Sequence, residues 1–248
     1  MRIASHAPSR SAGLRAWVVC LGCGLALFTV MGLGVNAFTV YQPYLLRVHG
    51  FTNAQGSWIT TVRSLFALLS MLTVDRLCRR LGLRNTMVLG MACFVGSYLL
   101  FGFARGFSAY CGGAVLSGLA YGYGGMIPLT LVISRWFPTG RGFALGMAAA
   151  GSGISTIFAP PLITGAIQAL GLSAAFLWEA AAGVLLTLLV LLLVRDSPDC
   201  PELQRAGDSA PGGRGEGLSR PLLGMVLLSA FLTGGPCGPG FSHLTVLY

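Results

Sequence analysis

Long apolar stretches, separated by short polar segments that contain arginine, dominate the pattern of the chain. A helix needs about 20 consecutive apolar residues to cross the roughly 30 Å hydrocarbon layer of a bilayer. The stretches of about this length are Trp17–Val40, Thr52–Val74, Thr86–Phe103, Ser108–Ile133, Phe143–Leu170, Ala174–Val194 and Leu222–Tyr248. The pattern predicts an all-α membrane protein with six complete spans and a seventh at the carboxyl end.

A polar segment separates the sixth stretch from the seventh. Residues 195–220 are rich in glycine, proline and acidic side chains, a composition typical of a flexible linker. We therefore predict three parts: a six-helix transmembrane bundle at 1–194, a cytoplasmic linker at 195–220 and a seventh transmembrane helix at 221–248.

The arginines predict an orientation, because cytoplasmic loops of membrane proteins carry an excess of basic residues. Thirteen of the 16 basic residues fall before the first stretch or in the alternate loops that lie on the same side. Arg47 and Arg105 are the two on the other side. The amino terminus is predicted to be cytoplasmic, in a multi-pass protein of the inner (plasma) membrane.

Composition argues against the other broad classes. Hydrophobic residues make up 54% of the chain and charged residues 9%, and the mean hydropathy is +0.76, which is unlike a soluble domain. The loop arginines account for most of the net charge of +9, so we expect no nucleic-acid partner. Nucleotide-binding and metal-protease motifs are missing, so we expect no enzyme, cofactor or metal site. Cys20 and Cys23 lie within an apolar run and are interpreted as packing residues.

Asp75, Arg76, Arg79 and Arg80 follow the second stretch in the order DRLCRR. This order resembles the G-x-x-x-D-R-x-G-R-R loop signature of the major facilitator superfamily, with Met71 and Cys78 in place of its glycines. An acid beside arginines at a helix end can form charge-assisted hydrogen bonds with neighbouring helix ends. The four charged residues are therefore predicted to act as a conformational-switch loop, the alternative being that they only set topology.

A second motif begins near the end of the fourth stretch and resembles the monocarboxylate and oxalate–formate porter branch of the same superfamily. The matching positions are Trp136, Phe137, Arg141, Ala144, Gly146, Ala148, Gly151 and Ser152. Small residues let membrane helices approach closely. Arg141, Gly146, Gly151 and Ser152 are predicted to serve this motif and the packing of the fifth helix.

The resemblance implies a major facilitator-type fold: a six-helix amino-terminal bundle followed by the first helix of a second bundle, whose remainder we expect beyond this sequence. It also implies alternating-access transport of a small organic anion, a monocarboxylate or dicarboxylate, by proton symport or exchange. Two alternatives stay open. One is the transport of drugs or neutral solutes, and the other is a membrane protein that does not transport.

Arg63 is the unusual charge, because it falls near the middle of the second stretch, about 18 Å along the helix from Asp75. An arginine at that depth costs ~3 kcal/mol on insertion scales and is expected to face a partner or a watery cavity. One interpretation is a counter-charge for an anionic substrate. The other is a structural role, paired with Glu179 or bonded to backbone carbonyls.

Glu179, within the sixth stretch, has two corresponding interpretations, a proton-coupling group or a structural partner. Tyr121 is predicted to face the substrate cavity, while Tyr123 is predicted to pack. Asn36 is the third predicted substrate-binding residue, and it could line a vestibule with Gln42. Tyr41 and its neighbour Tyr44 are predicted to act mainly as interfacial anchors.

Overall fold

The computed structural model describes residues 10–137 and 140–194. The helices are α1 (Arg10–Leu27), a π-helical segment (Phe28–Asn36), α2 (Phe38–His49), α3 (Asn53–Leu81), α4 (Leu83–Phe103), α5 (Phe107–Gly124), α6 (Met126–Trp136), α7 (Arg141–Leu170) and α8 (Leu172–Leu193). The predicted linker at 195–220 and the predicted seventh helix at 221–248 lie outside the described residues.

Six helical stretches within the described part are long and apolar enough to cross a membrane. They are Arg15–His49, Asn53–Leu81, Leu83–Phe103, Phe107–Trp136, Arg141–Leu170 and Leu172–Leu193. The prediction of six spans in an all-helical protein is therefore confirmed, although several boundaries differ from those read from hydropathy.

The first span continues well beyond its predicted end at Val40. It consists of α1, the π-helical segment and α2, and it ends only at His49. Gln42, Pro43 and Arg47 interrupt the apolar pattern of this extension, but not the helix. Hydropathy therefore underestimated the span, because a helix continues past the apolar layer as long as its backbone hydrogen bonds are satisfied.

The second span is also longer than predicted, since α3 runs through the DRLCRR sequence to Leu81. Its start is fixed by a capping box in which Thr52 and Gln55 exchange hydrogen bonds between side chain and backbone. Its end is fixed by Gly82, whose φ of 84° is seldom adopted by residues with a β-carbon. The predicted switch loop is thus the last two turns of a helix.

The fourth span is divided where a single helix was predicted. α5 ends at Gly124 and α6 begins at Met126, with Gly125 between them in an extended conformation. Pro128 follows in the first turn of α6, where a missing backbone N–H leaves no helical hydrogen bond unmade. In contrast, Pro160 and Pro161 lie within the continuous helix α7.

The helices pack with α4 against α5 and α8, α3 against α5, and α7 against the first span. The end of the bundle that carries Asp75 and Arg84 is called the motif end here, and the end that carries His49 is called the opposite end. At the opposite end, His49 Nε2 lies 2.9 Å from the hydroxyl of Tyr110. At the motif end, the ring centroids of Trp17 and Phe137 are 5.2 Å apart.

Two buried clusters fill the bundle, one nearer each end. The opposite-end cluster holds seven large aromatic side chains: Phe38, Tyr41, Phe94, Tyr98, Phe101, Tyr110 and Phe176. The buried members of the motif-end cluster are aliphatic residues, methionines and cysteines, including Cys20, Cys23 and Cys78. The three cysteines thus lie among packing residues.

Candidate substrate cavity

A cavity of about 470 Å³ lies between the first span, α3 and α5. Its wall combines one cationic side chain, five side chains with a hydroxyl or amide group, and five apolar side chains. The lining residues are Val35, Phe38, Thr39, Gln42, Thr60, Arg63, Ser64, Ala67, Leu68, Met71 and Tyr121.

The helical period explains which side chains reach the cavity. Those on α3 fall at positions 60, 63, 64, 67, 68 and 71, which share one face of a helix. Those on the first span fall at 35, 38, 39 and 42, again at helical spacing. The sequence analysis missed most of these residues, although the spacing around Arg63 was a signal that could have found Ser64, Leu68 and Met71.

Arg63 lies in this wall and is 8% exposed. The centre of its guanidinium lies 5.1 Å from the ring centroid of Phe38, within the range of a cation–π contact. Among the described residues it makes neither an ion pair nor a side-chain hydrogen bond. Its N–H donors therefore remain available to an acceptor in the cavity.

A close contact between α3 and α5 positions the backbone around Arg63. A β-carbon on Gly118 of α5 would overlap with the carbonyl oxygen of Arg63 and lie 2.9 Å from the backbone nitrogen of Ala67. Ser70 donates a hydrogen bond of 3.2 Å to the carbonyl of Gly118 in the same contact. Glycine is needed here because the two backbones nearly touch.

Tyr121 lies on the cavity wall, less than one helical turn beyond Gly118. The structure thus brings Arg63 and Tyr121, both predicted from the sequence, to one cavity, and their role in binding stays a prediction. Tyr123 contacts Thr73 instead, with 3.0 Å between the two hydroxyl oxygens. Tyr123 therefore packs against α3, as expected.

Asn36, the third predicted substrate-binding residue, is not part of this wall. Its side-chain amide donates a hydrogen bond of 2.7 Å to the hydroxyl of Thr156 on α7. Asn36 therefore bridges the π-helical segment and α7. Helical spacing could not predict this contact, because the two residues are 120 positions apart in the chain.

Glu179 is 1% exposed and contacts Tyr41 of the opposite-end cluster. Its Oε2 accepts a hydrogen bond of 2.6 Å from the hydroxyl of Tyr41, and its Oε1 has no partner in the described part of the protein. The predicted alternative of an Arg63–Glu179 ion pair is therefore not observed. Tyr41 is not the interfacial anchor that we expected, since it is 1% exposed and its ring stacks on Phe176 at 4.1 Å.

The predicted switch residues lie on the exposed last turns of α3. Arg79 and Asp75 form an ion pair of 3.2 Å with side chains 74% and 65% exposed. Such a surface pair within one helix contributes at most about 1 kcal/mol. Arg76 and Arg80 are exposed as well. Within residues 10–137 and 140–194 these charges form no latch to another helix, so the switch role stays a prediction.

Arg84, two residues after Gly82, contacts a neighbouring helix at this end. Its guanidinium donates a hydrogen bond of 2.8 Å to the carbonyl of Leu191 in the last turn of α8. A cation at a helix carboxyl terminus satisfies a free carbonyl and interacts favourably with the helix dipole. The sequence analysis did not predict this contact.

The four predicted motif residues of α7 have different surroundings. Gly151 packs against Gly24 of α1 so closely that a β-carbon would overlap with the Gly24 carbonyl, whereas Gly146 is exposed with open space around it. Arg141 donates to the carbonyl of Phe137 at 3.1 Å, and Ser152 donates to its own helix at 2.8 Å. In the described bundle, only Gly151 of the two glycines serves helix packing.

A bundle of six candidate spans, with a cavity that holds a buried cation unpaired within residues 10–137 and 140–194, is the architecture expected of a polytopic membrane transport protein. Within the described residues, no group of three or more His, Cys, Asp or Glu side chains is placed to hold a metal ion.

Comparison with known families identifies the class further. A model of the Major Facilitator Superfamily matches residues 22–248, and the chain belongs to this family. Family membership confirms the predicted fold of a membrane transporter. It also confirms the prediction that the chain belongs to a transporter family and not to an enzyme family.

Curated fungal relatives are identical to the chain at about a quarter of the aligned positions. The MFS-type transporter pynF of Aspergillus niger is 26% identical over 61% of this chain and 35% of its own length. The MFS-type transporter hasB of Aspergillus fumigatus is 27% identical over 80% and 44%. The aspyridones efflux protein apdF of Emericella nidulans is 28% identical over 62% and 31%. The chain thus spans between about a third and less than half of these relatives.

Proposed function

We propose that the protein to which this bundle belongs is a secondary transporter of a small organic anion, and that Arg63 is the counter-charge for the anionic group. The observation that supports this most directly is a buried guanidinium on a cavity wall without a carboxylate partner in the described part of the chain. A planar guanidinium binds a carboxylate through two parallel hydrogen bonds.

Transport by alternating access follows from the family, in which the substrate binds near the bilayer midplane between two six-helix halves. Tyr121, on the same wall, is proposed to donate a further hydrogen bond to the anion. Proton symport or anion exchange is the proposed coupling. The resemblance of the α7 motif to monocarboxylate and oxalate–formate porters supports this substrate class, whereas none of the three relatives has a name that refers to such acids.

Efflux of a lipophilic or neutral compound is the second candidate function. It is favoured by the likeness to a relative named as an efflux protein for aspyridones. The two candidates differ in what they require of Arg63, because a neutral cargo needs no cation at the centre of the bilayer.

The cytoplasmic side is proposed to be the motif end, in a plasma membrane. Arg76, Arg79, Arg80 and Arg84 lie at that end, against Arg47 and Arg105 at the opposite end. This distribution of basic residues supports the orientation.

The test of the anion hypothesis is uptake of labelled carboxylates into cells or liposomes that contain the complete transporter. We expect Arg63→Ala to lower uptake at least about 100-fold, since a charge-assisted bidentate contact contributes about 3 kcal/mol. Arg105→Ala, which removes the same charge from an exposed position, is the matched control and should transport normally.

The result is informative only if both variants reach the membrane in equal amounts, which surface labelling measures. Unchanged carboxylate uptake by Arg63→Ala would contradict the proposed role. Continued extrusion of a lipophilic cation by the same variant would favour the efflux alternative.

A further inference from the structure

The cavity wall changes character along its length. Toward the opposite end from Arg63 it presents Thr60, Thr39 and Gln42, whose side chains carry hydroxyl or amide groups. Toward the motif end, α3 presents Ala67, Leu68 and Met71. A single cation therefore lies at the junction of a polar and an apolar section.

Contacts between helices fix the level of each section. A β-carbon built on Gly56, near the start of α3, would lie 3.6 Å from the side-chain amide nitrogen of Gln42, which places this amide at the opposite-end section. On α5, Gly118 contacts the backbone of Arg63 and Gly122 contacts Ser70. The backbone of Tyr121 therefore lies between these two contacts, and because helical side chains tilt toward the helix amino terminus, its phenol is directed back toward the level of Arg63.

The apolar section is long enough for more than a methyl group. Met71 lies eight residues after Arg63, a rise of about 12 Å along α3. Phe38 lies over the guanidinium at 5.1 Å and covers one of its faces, so an anion is directed to the edges that carry the N–H donors.

We propose that the ligand is an amphipathic organic anion. Its acidic group binds Arg63 with Thr60 and Gln42 as further donors, and its apolar part lies along Ala67, Leu68 and Met71. This proposal rests on the proposed function and narrows its substrate class, because a short dicarboxylate would place its second charge against the apolar section. Arg63 is the one cation among the lining residues in the described part of the chain.

The test measures binding to the complete transporter in lipid nanodiscs, with straight-chain alkanesulfonates of two to eight carbons as probes. Sulfonates remain anionic, and empty nanodiscs correct for partition into lipid. Burying one methylene corresponds to about a fourfold gain in affinity, so we expect Kd to fall about two- to fourfold per added carbon. A propane-1,3-disulfonate probe is expected to bind no better than ethanesulfonate.

Three variants identify the section responsible. Met71→Gln should flatten the dependence of Kd on chain length, with the largest loss of affinity for the longest probes. Met71→Phe keeps the section apolar but shortens it. In this variant the gain in affinity per added carbon should end at a shorter probe than in the unmodified protein. Leu72→Gln is the matched control, since Leu72 is 69% exposed and absent from the wall, and it should keep the dependence of the unmodified protein.

The outcomes separate this proposal from the one on which it rests. A Kd that does not change with chain length, or tighter binding of the disulfonate, would overturn the amphipathic ligand while leaving the anion site intact. Unchanged Kd values for all probes in Arg63→Gln would overturn the anion site itself. If the Kd values of Met71→Gln equal those of the unmodified protein for every probe, the apolar part of the ligand does not lie along Met71.

Discussion

Arg63 and Glu179 are both ionisable side chains buried within spans, at 8% and 1% exposure, yet their surroundings differ. Arg63 lies on a cavity wall with one aromatic contact and no carboxylate partner among the described residues. Glu179 lies among packed aromatic rings and is bonded to Tyr41. Both residues stand out because an ionisable side chain is costly within a membrane span. The open space beside Arg63 leaves room for a ligand, whereas the packed surroundings of Glu179 favour contacts between helices.

The Tyr41–Glu179 bond joins α2 to α8, and a neighbouring bond continues the connection. Tyr98 of α4 donates to the carbonyl of Leu33 in the π-helical segment at 2.9 Å. The rings of Tyr41 and Tyr98 are in contact at 6.3 Å between centroids. These bonds hold one face of the first span against α4 and α8. A different face of the same span lines the cavity. These contacts favour the structural interpretation of Glu179, on the side of the first span that faces away from the cavity, and this role stays a prediction.

The largest effect is expected from removing the charge of Arg63 while keeping its bulk. Arg63→Leu should weaken anion binding at least about 100-fold, and the melting temperature should stay equal or rise, because a buried charge that costs ~3 kcal/mol is removed. Calorimetric binding and thermal unfolding of the purified complete transporter measure both. A large fall in melting temperature together with retained binding would show a structural role.

Glu179→Ala should have the reverse signature. It leaves a void among the aromatic rings and an unpaired hydroxyl on Tyr41, and we expect a loss of about 3 kcal/mol in the free energy of unfolding. The Kd for the anion should change less than about threefold.

Glu179→Gln is the control for charge, since it keeps the size and one acceptor oxygen and should lose less than about 1 kcal/mol. If Glu179→Gln is as stable as the unmodified protein but cannot couple transport to protons, then Glu179 is a coupling group and the comparison with Arg63 fails.

Tyr41→Phe tests the single hydrogen bond within the same cluster. The ring and its stacking on Phe176 remain, so only the 2.6 Å bond to Glu179 is lost. We expect a decrease of about 1–2 kcal/mol in the free energy of unfolding, because the buried carboxyl group then has no donor. Denaturant unfolding would measure it, and no change would mean that the bond contributes nothing to stability.

The smallest effect is expected at Asn36. Its bond to Thr156 is exposed, so Asn36→Ala should lower the free energy of unfolding by less than about 1 kcal/mol. Thr156→Val should cost the same, and the double variant no more than either one. A Kd raised tenfold or more in Asn36→Ala alone would support the predicted role of Asn36 in substrate binding.

The spans were predictable because crossing a bilayer requires a continuous apolar stretch, which is a local property of the sequence. Their ends were less predictable. α3 continues through charged residues to Gly82, and α2 continues to His49, because a helix does not stop where its side chains become polar. The division of the fourth span depends on Gly125 and Pro128. The backbone preferences of these two residues are local, but a hydropathy profile does not detect them within an apolar stretch.

The sequence by itself determined six spans, an all-helical class, the family and the presence of one cation near the middle of a span. Only the tertiary structure decided that Arg63 faces a cavity, that Glu179 binds Tyr41 138 positions away, and that Asn36 binds Thr156. The physical reason is the range of the interactions. Hydropathy and helical spacing act between near neighbours in the chain, whereas a partner for a buried polar group is selected by which helices pack together.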